Sequence, residues 1–147
     1  MGLFQSFDIS ASGMTAERFR TDIIAQNIAN VNTTRTEDGT PYRRKVVTFA
    51  EKRSTPFQEM FEEQYRNFKG TGVKVTSVKE DTTSDYIMEY DTSHPDADEN
   101  GYVSYPNVNI VTEMTNLIDA SRGYEANATA FEASKAIAQA GIQIGKS

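Results

Sequence analysis

The stretch that comes nearest to a ligand-binding motif is the acidic turn at residues 96–101. Its sequence, Asp-Ala-Asp-Glu-Asn-Gly, matches the first half of an EF-hand calcium loop. The twelfth position of that loop would be Asn107 instead of the usual bidentate glutamate, and Pro95 precedes it where a helix should end. Acidic residues beside Asn and Gly are also typical of ordinary turns. The sequence therefore favours a turn and leaves calcium binding as an open alternative.

The residue types limit the chemistry that the chain can perform. Its 147 residues include no cysteine, which excludes thiol nucleophiles, disulfides and thiolate zinc sites. The single histidine, His94, has no recognisable nucleophile partner, and because it precedes Pro95 we expect it in a loop. No glycine-rich phosphate loop is present. We therefore predict a protein that is not an enzyme, with no catalytic, cofactor-binding or metal-binding residues.

Bulk composition indicates a folded chain. Hydrophobic residues make up 37% and charged residues 24%, so the composition is not that of a disordered protein. A net charge of −6 argues against general affinity for nucleic acid or anionic membrane. No apolar run reaches the length of a membrane span, and the N-terminus lacks the features of a cleaved signal peptide. We expect neither nucleic-acid binding nor direct membrane insertion.

Two long stretches of helical periodicity lie at the ends of the chain. In residues 107–144, apolar or small residues recur every three or four positions, and Leu117, Tyr124 and Phe131 follow a heptad spacing. Such a helix would be roughly 55 Å long. The same spacing recurs in residues 4–28, with a second apolar stripe on a neighbouring face. We predict a mainly α fold with a small β insert, in which the terminal helices form a coiled-coil pair.

A helix of this length exceeds what a compact domain of this size covers with its own core. Each stripe therefore needs a partner, either the other helix in an ordinary two-helix core or another subunit. An asparagine on an apolar face can fix the register of such an interface, although a helix-ending turn explains Asn30 equally well. The predicted assembly interface comprises Phe7, Met14, Asn27, Ile28, Asn30, Met114, Leu117, Tyr124, Phe131 and Ile142.

The middle of the chain differs from its ends, because it holds all four prolines. Alternating patterns predict strands at residues 42–49, 73–78 and 86–90, which would form one small sheet supported by a helix or another subunit. The aromatic segment at residues 57–68 is compatible with a short helix or an ordered loop. The chain thus divides into an N-terminal arm (1–32), a β-rich middle region (33–106) and a C-terminal arm (107–147).

Charge is distributed unevenly in this middle region. Three consecutive basic residues begin at Arg43, whereas residues 80–99 include eight acidic residues and no lysine or arginine. Patches of opposite charge would let copies of the chain pair head to tail; two solvated loops are the alternative. The predicted lateral contacts comprise Arg43, Arg44, Lys45, Asp96 and Asp98.

Several blocks of this sequence resemble bacterial flagellar axial proteins, the family of rod, hook and hook-associated proteins. The N-terminal signature of that family is similar to Ser12-Gly13-Met14-Thr15-Ala16 and to Ile24-Ala25-Gln26-Asn27-Ile28-Ala29-Asn30-Val31-Asn32-Thr33. Three further segments resemble the proximal-rod members of that family more narrowly. They are Pro41-Tyr42-Arg43-Arg44-Lys45, His94-Pro95-Asp96-Ala97-Asp98 and Gly101-Tyr102-Val103-Ser104-Tyr105-Pro106-Asn107-Val108-Asn109. The resemblance covers nearly the whole chain, and residues 51–69 are its least familiar part.

The resemblance implies a structural subunit of the proximal rod of the flagellar basal body, a hollow shaft linking the membrane ring to the distal rod and hook. It also implies export through the flagellar type III apparatus without a cleaved signal, and polymerisation in the periplasm through the terminal helices. The implied partners are copies of the chain, other rod proteins, the MS ring with its rod adaptor, and the export apparatus. The alternative is a non-enzymatic extracytoplasmic binding module that docks a partner through residues 57–68.

Overall fold

The computed structural model describes residues 3–52 and 70–145, which form two long helices and four short strands. The elements are α1 (Leu3–Ala29), β1 (Lys45–Glu51), β2 (Val73–Glu80), β3 (Ile87–Tyr90), β4 (Tyr102–Tyr105) and α2 (Ile110–Ile144). A mainly α fold with a small β region between two long helices is thereby confirmed. The aromatic segment at residues 57–68 lies outside the described residues. In the described ranges, neither helix has the length and hydropathy needed to cross a membrane.

Asparagines mark the inner ends of both helices. After α1, the side-chain amide of Asn30 donates to the carbonyl of Gln26 at 2.9 Å, which satisfies a carbonyl of the last turn. Before α2, Asn109 Oδ1 accepts a hydrogen bond of 3.1 Å from the backbone N–H of Thr112, the geometry of an N-cap. Because Asn109 caps the helix, α2 begins at Ile110, three residues later than the periodicity suggested.

The four strands form two sheets of two strands each, instead of the single three-stranded sheet that the sequence suggested. β3 pairs antiparallel with β4, with Ile87 opposite Tyr105 and Tyr90 opposite Tyr102. The strand β4 was absent from the sequence-based expectation. β4 was missed because it has only four residues, of which Val103 alone is fully buried, so it shows no extended alternation of buried and exposed positions.

The other sheet pairs β1 with β2. The backbone N–H of Asp81 donates to the carbonyl of Arg44 at 2.7 Å at one end of the pair. At the other end, the N–H of Lys52 donates to the carbonyl of Gly72 at 2.8 Å. Because residue numbers rise along one strand as they fall along the other, β1 and β2 are antiparallel.

The chain divides into two compact units, and each unit draws on both helices. The first comprises Met1–Phe19, Phe49–Thr76 and Ala120–Ser147, and the second comprises Arg20–Thr48 and Ser77–Asp119. Segments distant in sequence therefore meet inside each unit.

In the first unit, α1 and α2 approach each other closely and run antiparallel. The ring centroids of Phe7 and Phe131 lie 4.9 Å apart. Six residues further along α1, a Cβ built on Gly13 would lie 2.6 Å from Oδ1 of Asn127. The absence of a side chain at Gly13 therefore permits the close approach of the two helices at this level.

Candidate functional site

A group of polar side chains lies buried in the second unit, with Asn27 of α1 at its centre. Asn27 Oδ1 accepts hydrogen bonds from the hydroxyl of Tyr42 at 2.8 Å and the backbone N–H of Lys45 at 2.9 Å. Its Nδ2 donates to the carbonyl of Lys45 and to Oε2 of Glu113, both at 2.9 Å. The fully buried amide thus uses two acceptor and two donor positions. One side chain of α1 is thereby bonded to the start of β1 and to α2.

Glu113 supplies the negative charge of this group and is fully buried on α2. Its Oε1 lies 2.7 Å from a terminal guanidinium nitrogen of Arg44 and accepts a second bond of 2.8 Å from Arg44 Nε. The guanidinium also lies 3.7 Å from Oδ2 of Asp81. A buried carboxylate is tolerated when a cation and hydrogen-bond donors surround it. The two oxygens of Glu113 meet that requirement through Arg44 and Asn27.

Asn107, in the link between β4 and α2, closes the group. Its Oδ1 accepts the backbone N–H of Arg44 at 2.9 Å. Its Nδ2 donates to the carbonyls of Asp81 at 2.9 Å and Ser84 at 3.2 Å. These bonds hold the β2–β3 connection against the residue that precedes β1. We call the complete group the buried polar cluster; it comprises the buried residues Asn27, Tyr42, Asn107 and Glu113 and the half-buried residues Arg44 and Asp81.

Burial raises the pKa of the Tyr42 hydroxyl above its ordinary value of 10.0, and the negative charges of Glu113 and Glu80 raise it further. The neutral hydroxyl donates its hydrogen to Asn27. Ionisation of Tyr42 in the folded chain would remove that donor and place a second negative charge near Glu113.

We expect the second unit to lose stability as the pH rises above about 10. The unfolded chain ionises Tyr42 near its ordinary pKa of 10.0, whereas the folded chain keeps it protonated to a higher pH. Base therefore favours the unfolded state, because that state releases its proton first. Urea unfolding from about pH 8 to about pH 11 should show a smaller decline for Tyr42→Phe than for the wild type. Tyr90→Phe, at an exposed tyrosine, is the control, and equal declines in all three chains would contradict the assignment.

The ten residues predicted for the assembly interface have different environments. Asn27 belongs to the buried polar cluster, Asn30 closes the end of α1, and Phe7 and Phe131 share a ring contact. Three further residues are half-buried, namely Met14, Ile28 and Leu117. The remaining three are exposed, namely Met114, Tyr124 and Ile142. Their participation in an interface between subunits stays a prediction.

The first turns of α2 present apolar side chains to solvent. Val111, Met114 and Ile118 are each more than half exposed, and their spacing of three and four residues puts them on one face of the helix. We call these three residues the exposed α2 surface. Glu113 and Ala120 are fully buried on the opposite face. Sequence reasoning identified Met114 alone, because it assigned the heptad stripe to a single face and did not separate the two sides of α2.

The basic residues predicted for lateral contacts all have partners inside the chain. Arg43 Nε donates to the hydroxyl of Tyr86 at 3.1 Å, and its guanidinium lies 4.4 Å from the centroid of that ring. Arg44 is part of the buried polar cluster. The ammonium of Lys45 lies 5.7 Å from the centroid of the Tyr42 ring. A role of these residues between subunits stays a prediction.

The acidic residues of the candidate calcium loop are bonded to the protein itself. Asp96 Oδ2 accepts the hydroxyl of Thr34 at 2.8 Å, and its Oδ1 lies 3.6 Å from the guanidinium of Arg35. Asp98 Oδ1 accepts the backbone N–H groups of Asn100 and Tyr102, both at 2.8 Å. In the part of the chain that the structure describes, no three His, Cys, Asp or Glu side chains are grouped to hold a metal ion. Asp98 therefore organises the turn between β3 and β4, and Asp96 bonds that turn to the segment that follows α1.

Two protein-family models match the ends of the chain. The model described as "Flagella basal body rod protein" matches residues 7–35, which contain most of α1. The model described as "Flagellar basal body rod FlgEFG protein C-terminal" matches residues 99–144, which contain β4 and α2. Together with two long helices around a small β region, these matches define a structural protein of the flagellar basal-body rod class.

Curated relatives narrow the class to one family. The flagellar basal-body rod protein FlgC of Borreliella burgdorferi is 43% identical over 150 residues, covering 98% of each chain. FlgC of Bacillus subtilis is 40% identical over 99% of this chain and 100% of its own length. FlgC of Salmonella typhimurium is 36% identical over the same shares. The chain belongs to the FlgC family of flagellar basal-body rod proteins.

Proposed function

We propose that this rod subunit polymerises through its terminal helices into the hollow shaft of the proximal rod, between the membrane ring and the distal rod and hook. In this proposal residues 1–32 and 107–147 are assembly arms that pair as a coiled coil, and residues 33–106 form lateral contacts. The role is structural rather than catalytic, in accord with the rod-protein names of the relatives. The partners are copies of the chain, other rod proteins, the MS ring with its adaptor and, before assembly in the periplasm, the type III export apparatus.

The exposed α2 surface is the observation that carries this proposal. Three large apolar side chains on one face of a 35-residue helix are left in contact with solvent. Complete burial of such a side chain contributes roughly 1.5–3 kcal/mol, so a polymer that covers the surface gains stability from residues that contribute little to the isolated chain.

The antiparallel helix contacts support the coiled-coil element of the proposal. Phe7 meets Phe131 and Gly13 meets Asn127 in the first unit, while Asn27 meets Glu113 in the second. Within the first unit the residue numbers fall along α2 as they rise along α1, as expected for two antiparallel helices. A coiled-coil pair would repeat such contacts from turn to turn.

Oxidation of Met114 by dilute peroxide tests the proposal. Its exposed thioether should be oxidised readily in the isolated chain. In purified basal bodies, the chain should be present and Met114 should be protected at least about ten-fold, because a neighbouring subunit covers it. Peptide mass spectrometry measures both. Absence of the chain from basal bodies, or equal oxidation of Met114 in both samples, would overturn the proposal.

A further inference from the structure

The ring of His94 is a hydrogen-bond acceptor in the turn between β3 and β4. Its Nδ1 accepts the backbone N–H of Asp96, two residues further along the chain, at 3.1 Å. An imidazole nitrogen accepts a hydrogen bond only when it carries no proton, so this contact requires the neutral ring with its hydrogen on Nε2. An asparagine side chain makes the same contact with its carbonyl oxygen in an Asx turn.

The bond fixes a residue that connects two segments of the second unit. Asp96 Oδ2 accepts the hydroxyl of Thr34 at 2.8 Å, and its Oδ1 lies 3.6 Å from the guanidinium of Arg35. Both partners belong to the segment that follows α1. Through one backbone N–H, His94 therefore holds the residue whose carboxylate bonds the β3–β4 turn to that segment.

The surroundings of the ring include a second carboxylate. His94 is half-buried, and its ring makes an edge contact with that of Tyr105 in β4, with centroids 6.3 Å apart. Hydrogen bonds from Ser93 lower the pKa of the Asp91 carboxyl below its ordinary value of 3.8, and the positive charge of protonated His94 lowers it further. Asp91 is therefore close enough to attract a charged ring, whereas Asp96 is paired with Arg35.

We propose that His94 is a pH-sensitive switch of the β3–β4 turn: the neutral ring holds the Asp96 N–H, and the protonated ring releases it and is drawn toward the Asp91 carboxylate. A histidine takes up its proton between about pH 8 and about pH 5. Because Nδ1 then becomes a donor, the bond is present at the upper end of this range and lost at the lower end. Its loss loosens the attachment of the turn to Thr34 and Arg35.

Nuclear magnetic resonance of the isolated chain tests the switch. At about pH 8, proton–nitrogen correlation spectra of the ring should show the hydrogen of His94 on Nε2. Between about pH 8 and about pH 5, hydrogen exchange of the Asp96 amide, corrected for its intrinsic rate at each pH, should become about five-fold faster. The midpoint of that change should coincide with the titration of the ring. Aspartates remain ionised throughout this range.

Two variants separate the hydrogen bond from the charge. His94→Asn keeps an acceptor for the Asp96 N–H but cannot titrate, so the corrected exchange rate of this amide should stay constant with pH. His94→Ala removes the acceptor, and its Asp96 amide should exchange at about pH 8 as fast as that of the wild type at about pH 5. The His94→Asn result decides the matter by itself if His94→Ala does not fold.

Three results would each overturn the switch. The first is a ring with its hydrogen on Nδ1 at about pH 8. The second is a corrected exchange rate of the Asp96 amide that does not change with pH in the wild type. The third is an equal acceleration in the wild type and His94→Asn, which would assign the pH response to another group. All three measurements use the isolated chain, so none of them bears on the rod assignment.

Discussion

Replacing Glu113 with alanine should lower the free energy of unfolding of the isolated chain by about 3 kcal/mol. The substitution removes the acceptor of both Arg44 bonds and of one Asn27 bond. Arg44 is then left with Asp81 at 3.7 Å as its remaining ion-pair partner, and the buried amide of Asn27 loses a donor contact. Removing one partner of a buried ion pair leaves an uncompensated buried charge. This destabilises the protein far more than replacing both partners with apolar side chains of similar volume. Urea unfolding followed by circular dichroism measures the change.

A matched substitution in the same helix separates this effect from loss of charge alone. Glu132 is exposed on α2, so Glu132→Ala should change the free energy of unfolding by no more than about 0.5 kcal/mol. The free energy of unfolding of Glu113→Gln should fall between those of the two alanine variants. The glutamine amide retains one acceptor oxygen, but its N–H2 group would face a hydrogen-bond donor, either Arg44 or the Asn27 amide. Equal stability of the Glu113→Ala and Glu132→Ala chains would show that the buried polar cluster contributes nothing to folding.

The helices and most of the strands were predictable from sequence because they depend on local patterns. Apolar residues every three or four positions predicted α1 and α2, and alternation predicted β2 and β3 close to their observed bounds. The start of α2 was missed by three residues, because Asn107 and Asn109 look alike in sequence. The structure gives them different roles, since Asn109 caps the helix and Asn107 bonds to Arg44 and Asp81.

The buried polar cluster was not predictable, because its bonds link residues that are distant in sequence. Arg44 and Glu113 are 69 positions apart, and Asn27 and Glu113 are 86 apart. A glutamate at the start of a helix is normally solvated, and a run of basic residues is normally exposed. The one available signal was Asn27, since an asparagine on an apolar stripe requires buried partners. That argument predicted a polar contact without identifying Glu113 or Tyr42.

The same limitation applies to the surfaces that are predicted to face other subunits. Periodicity identified one apolar stripe of α2, which includes Met114. It did not show that the side with Glu113 and Ala120 is buried while the side with Val111 and Ile118 is exposed. The charge pattern likewise suggested contacts for Arg44 and Asp96 between copies, yet both make ion pairs within the chain. The tertiary contacts determine which charged side chains are left to contact a neighbouring subunit. The sequence pattern does not show those contacts.

Met114→Asp should abolish incorporation into rods while leaving the isolated chain folded. Met114 is more than half exposed, so the substitution should change the free energy of unfolding by no more than about 0.5 kcal/mol. In the proposed rod the same position is covered by a neighbour, and burial of an unpaired carboxylate there costs several kcal/mol. Incorporation should therefore fall at least about 100-fold. The amount of chain in purified basal bodies, relative to the amount exported, measures the effect.

Two companion variants make the result specific to the exposed α2 surface. Thr112→Asp adds the same charge in the same part of α2, but its side chain points about 100° away from Val111, so rods should retain it. Phe131→Asp replaces a half-buried ring that contacts Phe7 at 4.9 Å, and should reduce both the stability of the chain and its incorporation. Normal incorporation of Met114→Asp would mean that no subunit covers this surface. Equal loss with Thr112→Asp would mean that added charge alone prevents assembly, because position 112 lies outside the apolar stripe.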